Sequence, residues 1–202
     1  MNVIVNYDMG NVGSIFNMIR RLGYDVTVSS NLNEIAGASK LILPGVGAFD
    51  VGAQKFQDMN LLPLLNKLVI NGKVPCLGIC LGMQLMTKSS EEGRLKGLGW
   101  FDANTVKFKF FDQKMKIPHM GWNFLRKKKE STLLQGIDQN FRFYFVHSFY
   151  VVCNQKQDVL TTTNYGDDFV SSIQKDNIFG VQFHPEKSHQ FGMTILKNFL
   201  SL

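Results

Sequence analysis

The stretch VPCLGICLGMQLM, residues Val74 to Met86, places a cysteine between two glycines inside an apolar run. The form glycine-x-cysteine-x-glycine is typical of a nucleophile elbow, a tight turn from a strand into a helix that exposes a reactive side chain. A side chain at Gly78 or Gly82 would collide with the neighbouring strand or helix, so glycine suits both positions. The stretch therefore predicts a strand-to-helix junction with Cys80 at its bend.

Two interpretations of Cys80 stay open on these residues. As a nucleophile, its sulfur would project above the carboxyl edge of a sheet, beside a helix N-terminus that favours the thiolate. As a spacer, it would fill a buried strand, which is a frequent fate of free cysteine and the one we expect for Cys76. The chain has 3 cysteines, an odd number that argues for reduced thiols. Cys76 and Cys80 lack a matching ligand pair elsewhere, so we expect no metal site.

The hydrophobic pattern outside the elbow predicts an α/β fold. Four apolar strand runs, NVIVNYD, YDVTVSS, KLILPGV and KVPCLGI, lead into or follow helical stretches, as in βαβ units with a mostly parallel central sheet flanked by helices. From Trp100 onward the runs NTVKFKFF, FRFYFVHSFYVV, DVLTTTNYG, FVSSIQ and IFGVQFHPE alternate at period two. They predict mostly antiparallel strands added in the second half. The final HQFGMTILKNFLSL predicts an amphipathic helix.

Composition limits the class of protein. The 202 residues suit one domain, and no apolar run is long enough to span a bilayer. The chain opens on the strand-like NVIVNYD, from which we expect no secretory signal and a cytoplasmic location. A net charge of +6 raises the question of nucleic acid, but the densest basic run, Arg126 to Lys129, lacks interleaved aromatics. We expect it to be a solvated loop and expect no nucleic-acid partner.

A cysteine nucleophile needs a base, and His184 is the preferred candidate. It closes the strand run IFGVQF, and Pro185 holds it extended at the strand end. Glu186 follows two residues later, close enough to orient the imidazole and stabilise its charged form. His147 also lies in a strand and is not excluded by spacing, although its neighbour Ser148 and the aromatic residues beside it favour a pocket wall.

Three motifs in this order give the chain a family resemblance: PGVGAF (Pro44 to Phe49), GICLGMQ (Gly78 to Gln84) and HPE (His184 to Glu186). Together they resemble the class I glutamine amidotransferases. The resemblance implies a catalytic triad of Cys80, His184 and Glu186 in one amidotransferase domain over residues 1–202. It also implies hydrolysis of glutamine to glutamate and ammonia through a γ-glutamyl thioester, with no metal or cofactor.

The same resemblance implies roles for the residues around the nucleophile. The oxyanion donors would be backbone N–H groups of Val46 and Leu81, and Gly47 would contact glutamine through its backbone. Gln84 lies about one helical turn beyond Cys80, where its amide could hold the substrate. The carboxylate that meets the substrate ammonium group would be Glu92, with Glu91 as a rival. Ser148 would line the glutamine pocket.

A narrower resemblance comes from YDMGNVGSI, IPHMGWN (Ile117 to Asn123), YFVHSFY and HPEKS, which span nearly the whole chain. These blocks look like the glutaminase subunits of imidazole glycerol phosphate synthases. Such subunits form a heterodimer with a (β/α)8-barrel cyclase and deliver ammonia to it for histidine biosynthesis. The resemblance implies that Asn11, Tyr144 and Lys187 face this partner. A single domain occupied by glutamine hydrolysis also leaves no room for an acceptor-binding synthase.

Three alternatives accompany this interpretation. A paralogous subunit could supply ammonia to a surface-sugar amidating enzyme, and YDMGN in place of a form closer to DYGMGN keeps this open. A cysteine peptidase or γ-glutamyl hydrolase of the same fold is opposed by Gln84, Glu92 and the PHMGWN block. A non-catalytic scaffold is opposed by the presence of Cys80, His184 and Glu186 together.

Overall fold

The structure, a computed structural model, describes residues 1–110 and 115–202. Phe111, the last residue of the predicted strand NTVKFKFF, lies outside the described residues. The strands are β1 (Asn2–Val5), β2 (Val26–Ser29), β3 (Lys40–Leu43), β4 (Cys76–Ile79), β5 (Ala103–Lys107), β6 (His119–Phe124), β7 (Arg126–Lys127), β8 (Arg142–His147), β9 (Phe149–Cys153), β10 (Val159–Tyr165), β11 (Asp167–Lys175) and β12 (Ile178–Val181).

The helices precede, follow and connect these strands. The α-helices are α1 (Val12–Arg21), α2 (Leu32–Ala36), α3 (Phe49–Asp58), α4 (Leu61–Leu65), α5 (Leu81–Leu85) and α6 (His189–Leu200). A π-helical segment, Asn66–Asn71, extends α4, and short 3₁₀ turns cover Thr132–Leu134, Lys156–Asp158 and Pro185–Lys187. Among the residues the structure describes, no helix has the length and apolar character needed to cross a bilayer.

The strands form one large sheet and a separate two-stranded sheet. The large sheet runs in the order β2-β1-β3-β4-β12-β11-β10-β7, with β9 also pairing with β11 and β5 pairing with β9. The pairs from β2 to β12 are parallel, and those from β12 onward are antiparallel. Strands β6 and β8 pair with each other beside it. The predicted α/β class, parallel at its centre and antiparallel in the second half, is confirmed.

Strand β12 is the exception to the antiparallel second half, and it positions the site. It returns to the middle of the sheet and pairs in parallel with β4, with Val181 opposite Ile79. The carboxyl ends of the two strands therefore lie side by side. The Cys80 N–H donates to the Val181 carbonyl at 2.7 Å, which joins the first residue after β4 to the last residue of β12.

The helices bury apolar stripes against the two faces of the sheet, as the periodicity predicts. In α1, Ile15 and Ile19 are fully buried, and Gly23 follows the helix at φ +85°, a conformation that glycine adopts without strain. In α6, Ile195 and Phe199 are buried in the same core as the α1 residues. Parallel strands covered on both sides explain the continuously apolar runs of β1, β3 and β4.

Two segments of the second half differ from their predicted form. The run FRFYFVHSFYVV divides at Ser148 into β8 and β9, which pair with β6 and β5 and so belong to different sheets. The basic run at Arg126 is not wholly a loop, because β7 pairs with β10 at the sheet edge. Its side chains stay exposed, as an edge strand allows, and Arg126 forms an ion pair with Asp168 at 3.0 Å.

The elbow packing predicts the effect of one methyl group on stability. A Cβ at Gly82 would lie 1.9 Å from the Leu43 carbonyl oxygen, so Gly82→Ala forces β3 and α5 apart. We expect the free energy of unfolding to fall by about 3 kcal/mol. Gly13→Ala is the control, since a Cβ there meets nothing within 4 Å and should raise stability by about 0.5 kcal/mol. Urea unfolding measures both; equal stability of the two variants would contradict the packing argument.

Candidate active site

Cys80 is held at a strained bend between β4 and α5. Its backbone lies at φ +53° and ψ −109°, a region that a residue with a side chain rarely adopts. The bend packs tightly, because a Cβ at Gly78 would lie 2.7 Å from the backbone of Gly82. Cys80 itself is 7% exposed and lies on the wall of an open cavity. The predicted elbow and its glycines are therefore present in the structure.

His184 and Glu186 form a buried pair at the end of β12. The imidazole Nδ1 lies 2.8 Å from Glu186 Oε1, and both side chains are 1% exposed. The backbone N–H of His184 donates to the Tyr144 carbonyl at 2.9 Å, and the Ser188 hydroxyl donates to the His184 carbonyl at 2.6 Å. These bonds fix the backbone of the turn. The contact of Nδ1 with Glu186 then fixes the orientation of the imidazole ring.

The electrostatic environment of His184 favours its charged form. Burial by itself lowers its pKa, but the hydrogen-bonding interactions with Cys80 and Glu186 and their negative charges outweigh burial and raise the pKa from 6.5 to about 10. Because Nδ1 faces Glu186, the buried Nε2 is the atom left to face the thiol; it has no other partner in the described part of the chain. An imidazolium beside a sulfur is the arrangement that activates a cysteine nucleophile.

His147, the rival base, has a different environment. Burial lowers its pKa to about 3, the hydrogen bond with the Phe149 carbonyl opposes this, and the nearby His119 and His184 lower it further. Its Nδ1 lies 2.8 Å from the Phe149 oxygen, and its Nε2 lies 3.0 Å from Nδ1 of His119. Both ring nitrogens of His147 thus have hydrogen-bond partners within the protein. His147 lines the cavity next to Cys80.

A cavity of about 410 Å³ opens in front of Cys80. Its walls combine the loop after β3, the start of α5 and the segment after β8. The predicted site residues that line it are Val46, Gly47, Cys80, Leu81, Gln84, Glu92 and Ser148. His184 and Glu186 are buried and do not line this cavity. A larger concavity of about 620 Å³ between Leu125 and Asn140 has no cysteine or histidine in its lining.

The structure separates Glu91 from Glu92. Glu92 lines the cavity, and its Oε2 accepts the Phe49 N–H at 2.8 Å. Glu91 points to the edge of β5, where it accepts the Lys107 N–H at 2.8 Å and forms an ion pair with Lys109 at 3.2 Å. Those two partners hold the pKa of Glu91 below its usual value. Glu92 is therefore the carboxylate positioned for a ligand in the cavity.

The amide of Gln84 is committed to the protein through its nitrogen. Nε2 donates to the Phe149 carbonyl and to Gln182 Oε1, both at 3.0 Å. An amide nitrogen has two hydrogens, and both are used here. Any contact of Gln84 with a ligand in the cavity is thus left to Oε1, an acceptor.

The two predicted oxyanion donors are not both free in this structure. The Leu81 N–H donates to the Gly45 carbonyl at 3.3 Å. In a planar trans peptide the carbonyl and the next N–H point in opposite directions, so the Val46 N–H points away from Leu81. Rotation of the Gly45–Val46 peptide would release both donors. This rotation changes ψ of Gly45 and φ of Val46, and Gly45 has no side chain to resist it.

Of the residues predicted to face a partner, Tyr144 and Lys187 lie together at the turn after β12. Lys187 is exposed, and its Nζ lies 5.7 Å from the centre of the Tyr144 ring. A concavity of about 530 Å³ separates this turn from α1, and Glu186 and Lys187 line it. Asn11 caps α1, where its Oδ1 accepts the Ser14 N–H at 3.3 Å. Asn11 therefore has a structural role whether or not a partner binds.

Sequence reasoning missed two sets of residues. Gln182 is fully buried, and its Nε2 lies 3.6 Å from Cys80 Sγ. On β6, Met120, Trp122 and Phe124 alternate outward and are 61%, 41% and 49% exposed. Their period-two apolar pattern in HMGWNF was the available signal, since these side chains face away from the core. In the ranges 1–110 and 115–202, no group of three or more His, Cys, Asp or Glu side chains is placed to hold a metal ion.

The sequence also matches a known family over nearly its full length. The family model described as glutamine amidotransferase class-I matches residues 3–202. The chain belongs to this family. As a class I glutamine amidotransferase it carries the elbow cysteine and the histidine-glutamate pair described above, and it has the fold of the family.

Relatives extend this family assignment. The chain is 54% identical over 200 residues to imidazole glycerol phosphate synthase subunit HisH 2 of Methanococcus maripaludis, covering 99% of this chain and 98% of the relative. It is 46% identical over 202 residues to the subunit of the same name from Pseudomonas aeruginosa, covering 100% of both. The crystal structure of a glutamine amidotransferase from Thermotoga maritima shares the fold, with a TM-score of 0.67 and 15% identity over 99% of this chain and 82% of that one.

The raised pKa of His184 predicts an unusual histidine titration. Its imidazolium should persist through neutral pH and lose its proton only as the pH rises through about 10. Removing the sulfur with Cys80→Ala should lower this midpoint. Burial lowers the pKa of His184, and in the variant only Glu186 remains to raise it. Nuclear magnetic resonance of histidine-labelled protein reports each ring. His119, whose pKa burial lowers to about 4, is the internal reference that should not move. An unchanged His184 midpoint in the variant would separate the histidine from the thiol.

Proposed function

We propose that this chain hydrolyses glutamine to glutamate and ammonia with Cys80 as nucleophile, as the glutaminase subunit of an imidazole glycerol phosphate synthase. The observation that carries the proposal is the elbow cysteine beside the buried His184 and Glu186 pair, with a cavity of about 410 Å³ in front of it. We infer that residues 1–202 act as one amidotransferase domain, since the family match covers residues 3–202.

The first half of the reaction uses the charge already present in the pair. The Cys80 thiolate attacks the side-chain amide carbon of glutamine, and the carbonyl oxygen becomes an oxyanion. The His184 imidazolium gives its proton to the departing nitrogen, which leaves as ammonia. Neutral His184 then takes a proton from the water that hydrolyses the thioester, while Glu186 holds the ring and stabilises each imidazolium.

Glutamine is held by the groups that line the cavity. The Glu92 carboxylate meets the substrate ammonium group, and Gln84 Oε1 accepts a hydrogen bond from a substrate N–H. Gly47 contributes its backbone, and Ser148 forms part of the cavity wall. These assignments are supported by the orientation of Glu92 into the cavity and of Glu91 away from it.

The oxyanion donors require a change of the loop after β3. With the Leu81 N–H bound to the Gly45 carbonyl, the developing charge has no assembled pair of donors. Loss of a single oxyanion donor lowers the rate about 100-fold or more in enzymes of this type. We therefore propose that the isolated chain is a poor glutaminase and that a partner favours the rotated Gly45–Val46 peptide.

The partner is a (β/α)8-barrel cyclase that forms a heterodimer with this chain and uses the ammonia. Its contact surface is the docking face, which we define as Met120, Trp122, Phe124, Tyr144 and Lys187. The rings of Trp122 and Tyr144 are 6.0 Å apart, so these side chains are continuous on the surface. Exposed aromatic and apolar residues beside a cation are typical of interface hot spots. We assign Asn11, the N-cap of α1, to the same interface on the family resemblance alone.

The pathway follows from the relatives. Both curated relatives described above are named as subunits of imidazole glycerol phosphate synthase, an enzyme of histidine biosynthesis, and the chain covers them almost completely. Neither name favours the sugar-amidating paralogue. We place the reaction in the cytoplasm, because Cys80 reacts only as a free thiol and reducing compartments keep thiols free.

Glutaminase activity measured with and without the cyclase tests the function directly. The purified chain alone should be slow, and adding the histidine-pathway cyclase from the same genome with its nucleotide substrate should stimulate it by about 100-fold or more. Stimulation of this size requires a partner that assembles the oxyanion site. Rapid hydrolysis that ignores the cyclase would favour the sugar-amidating paralogue.

Cys80→Ala is the control for the chemistry. The variant should lose all detectable glutamine hydrolysis, because no nucleophile remains to form the thioester. In complex with the cyclase it should still support the synthase reaction when ammonia is supplied, since the barrel then needs no glutaminase. Loss of both activities in a folded complex would show that Cys80 supports the structure instead.

Charge reversal at Lys187 tests the docking face. Lys187→Glu should weaken binding to the cyclase by about tenfold or more, because it reverses a charge beside the apolar part of the face. Lys67→Glu makes the same change in the segment that precedes β4, away from the docking face. Calorimetric titration measures both affinities. If the two variants bind alike, Lys187 does not belong to the interface.

A further inference from the structure

Gln182 is the first residue beyond β12. Its polar side chain is buried beside Cys80, and the proposed mechanism gives it no role. Its backbone N–H donates to the Ser171 carbonyl at 2.9 Å, which continues the pairing of β12 with β11. Its side chain is fully buried, and Nε2 lies 3.6 Å from Cys80 Sγ. This distance is within the range of an N–H hydrogen bond to sulfur, whose radius exceeds that of oxygen.

The hydrogen-bond network leaves one orientation for the Gln182 amide. The Phe149 carbonyl is an acceptor only, so the Gln84 nitrogen must face it, 3.0 Å away. The second hydrogen of that nitrogen then requires an acceptor, which is Gln182 Oε1 at 3.0 Å. With its oxygen committed to Gln84, Gln182 can present only its NH₂ group to the sulfur.

The acceptor that determines this orientation is itself fixed. The Phe149 carbonyl also receives the Nδ1 proton of His147 at 2.8 Å, which leaves His147 Nε2 to accept from His119 at 3.0 Å. Burial keeps both histidines neutral by lowering their pKa values to about 3 and about 4. The hydrogen-bond network from His119 to Cys80 is therefore uncharged, and each of its donors has an acceptor. We expect it to keep this arrangement at neutral pH.

We propose that Gln182 is a catalytic residue whose Nε2–H donates a hydrogen bond to the sulfur of Cys80. The bond favours the thiolate over the thiol and restrains the position of the sulfur. It acts again when the thioester breaks and the sulfur regains its negative charge. Gln84 is then a positioning residue for Gln182 as well as part of the cavity wall. This inference rests on the proposed role of Cys80 as nucleophile.

Two substitutions separate hydrogen-bond donation from packing. Gln182→Glu keeps the size of the side chain and an oxygen that accepts from Gln84, but it replaces the donor to sulfur by a carboxylate oxygen. Gln182→Met keeps similar bulk and removes the donor without adding charge. The matched control is Gln174→Glu, since Gln174 is a half-buried glutamine on β11 that pairs opposite Phe179 and takes no part in the site.

The test is the rate of alkylation of Cys80 by iodoacetamide as a function of pH, in the full isolated chain. Mass spectrometry of the peptide that contains Cys76 and Cys80 assigns the modified sulfur from its fragments. We expect the midpoint of the profile to move up by about one pH unit in Gln182→Glu and Gln182→Met, and to stay in place in Gln174→Glu. In the complex with the cyclase, kcat for glutamine should fall about tenfold with KM within about twofold.

The outcomes distinguish this inference from the proposed function. A folded Gln182→Glu or Gln182→Met variant with the wild-type alkylation profile, and with only its melting temperature lowered, overturns the role of Gln182 and leaves Cys80 as nucleophile. Wild-type Cys80 that reacts no faster at neutral pH than a cysteine in a short peptide overturns the proposed function itself. Either substitution suffices, so misfolding of one variant leaves the other to decide.

Discussion

The backbone of β3 contacts the backbone of α5 so closely that no side chain fits between them, and the rest of the site depends on this contact. A Cβ at Gly82 would lie 1.9 Å from the Leu43 carbonyl, and one at Gly45 would lie 2.5 Å from the Gly82 nitrogen. The close approach makes α5 begin directly after β4, which forces Cys80 into its strained bend. It also places the Gly45 carbonyl where it can accept the Leu81 N–H. One packing constraint thus positions the proposed nucleophile and occupies one of the proposed oxyanion donors.

The second constraint is that the polar groups behind the cavity are buried among aromatic rings. His147 and His119 lie against Phe145 and Phe169, with ring centres between 4.8 and 5.7 Å apart. Buried polar side chains destabilise a core unless each of their donors has an acceptor. The free-energy cost of an unpaired donor therefore fixes the orientation of every side chain in the network. The same burial that keeps these two histidines neutral also acts on His184. The difference at His184 is its contact with Glu186 and Cys80, which raises its pKa to about 10.

Features carried by residues close in sequence could be predicted, and features that depend on side-chain direction could not. The elbow at Cys80 and the pair of His184 with Glu186 are local patterns, and the structure forms both. Glu91 and Glu92 are adjacent, so composition and spacing are the same for both, and only the direction of each carboxylate separates them. Gln182 reads as one polar position in an apolar strand run. Its contact with Cys80 exists because β12 returns in parallel beside β4, a pairing that period-two alternation did not predict.

The structure holds the proposed nucleophile in place but leaves the proposed oxyanion donors unassembled, and this combination suits an enzyme whose ammonia must not be wasted. The thiol, imidazole and carboxylate are held by strand ends and buried hydrogen bonds, which a docking event has little freedom to change. The Gly45–Val46 peptide, by contrast, lies in a loop between glycines and gives up one weak 3.3 Å hydrogen bond on rotation. A partner can shift only an equilibrium whose two states differ by less than the binding free energy it supplies. The Gly45–Val46 loop has two such states, because they differ by one weak hydrogen bond. Cys80 and His184, held by strand ends and buried hydrogen bonds, do not. In the proposed complex, control of the reaction therefore resides in the oxyanion loop.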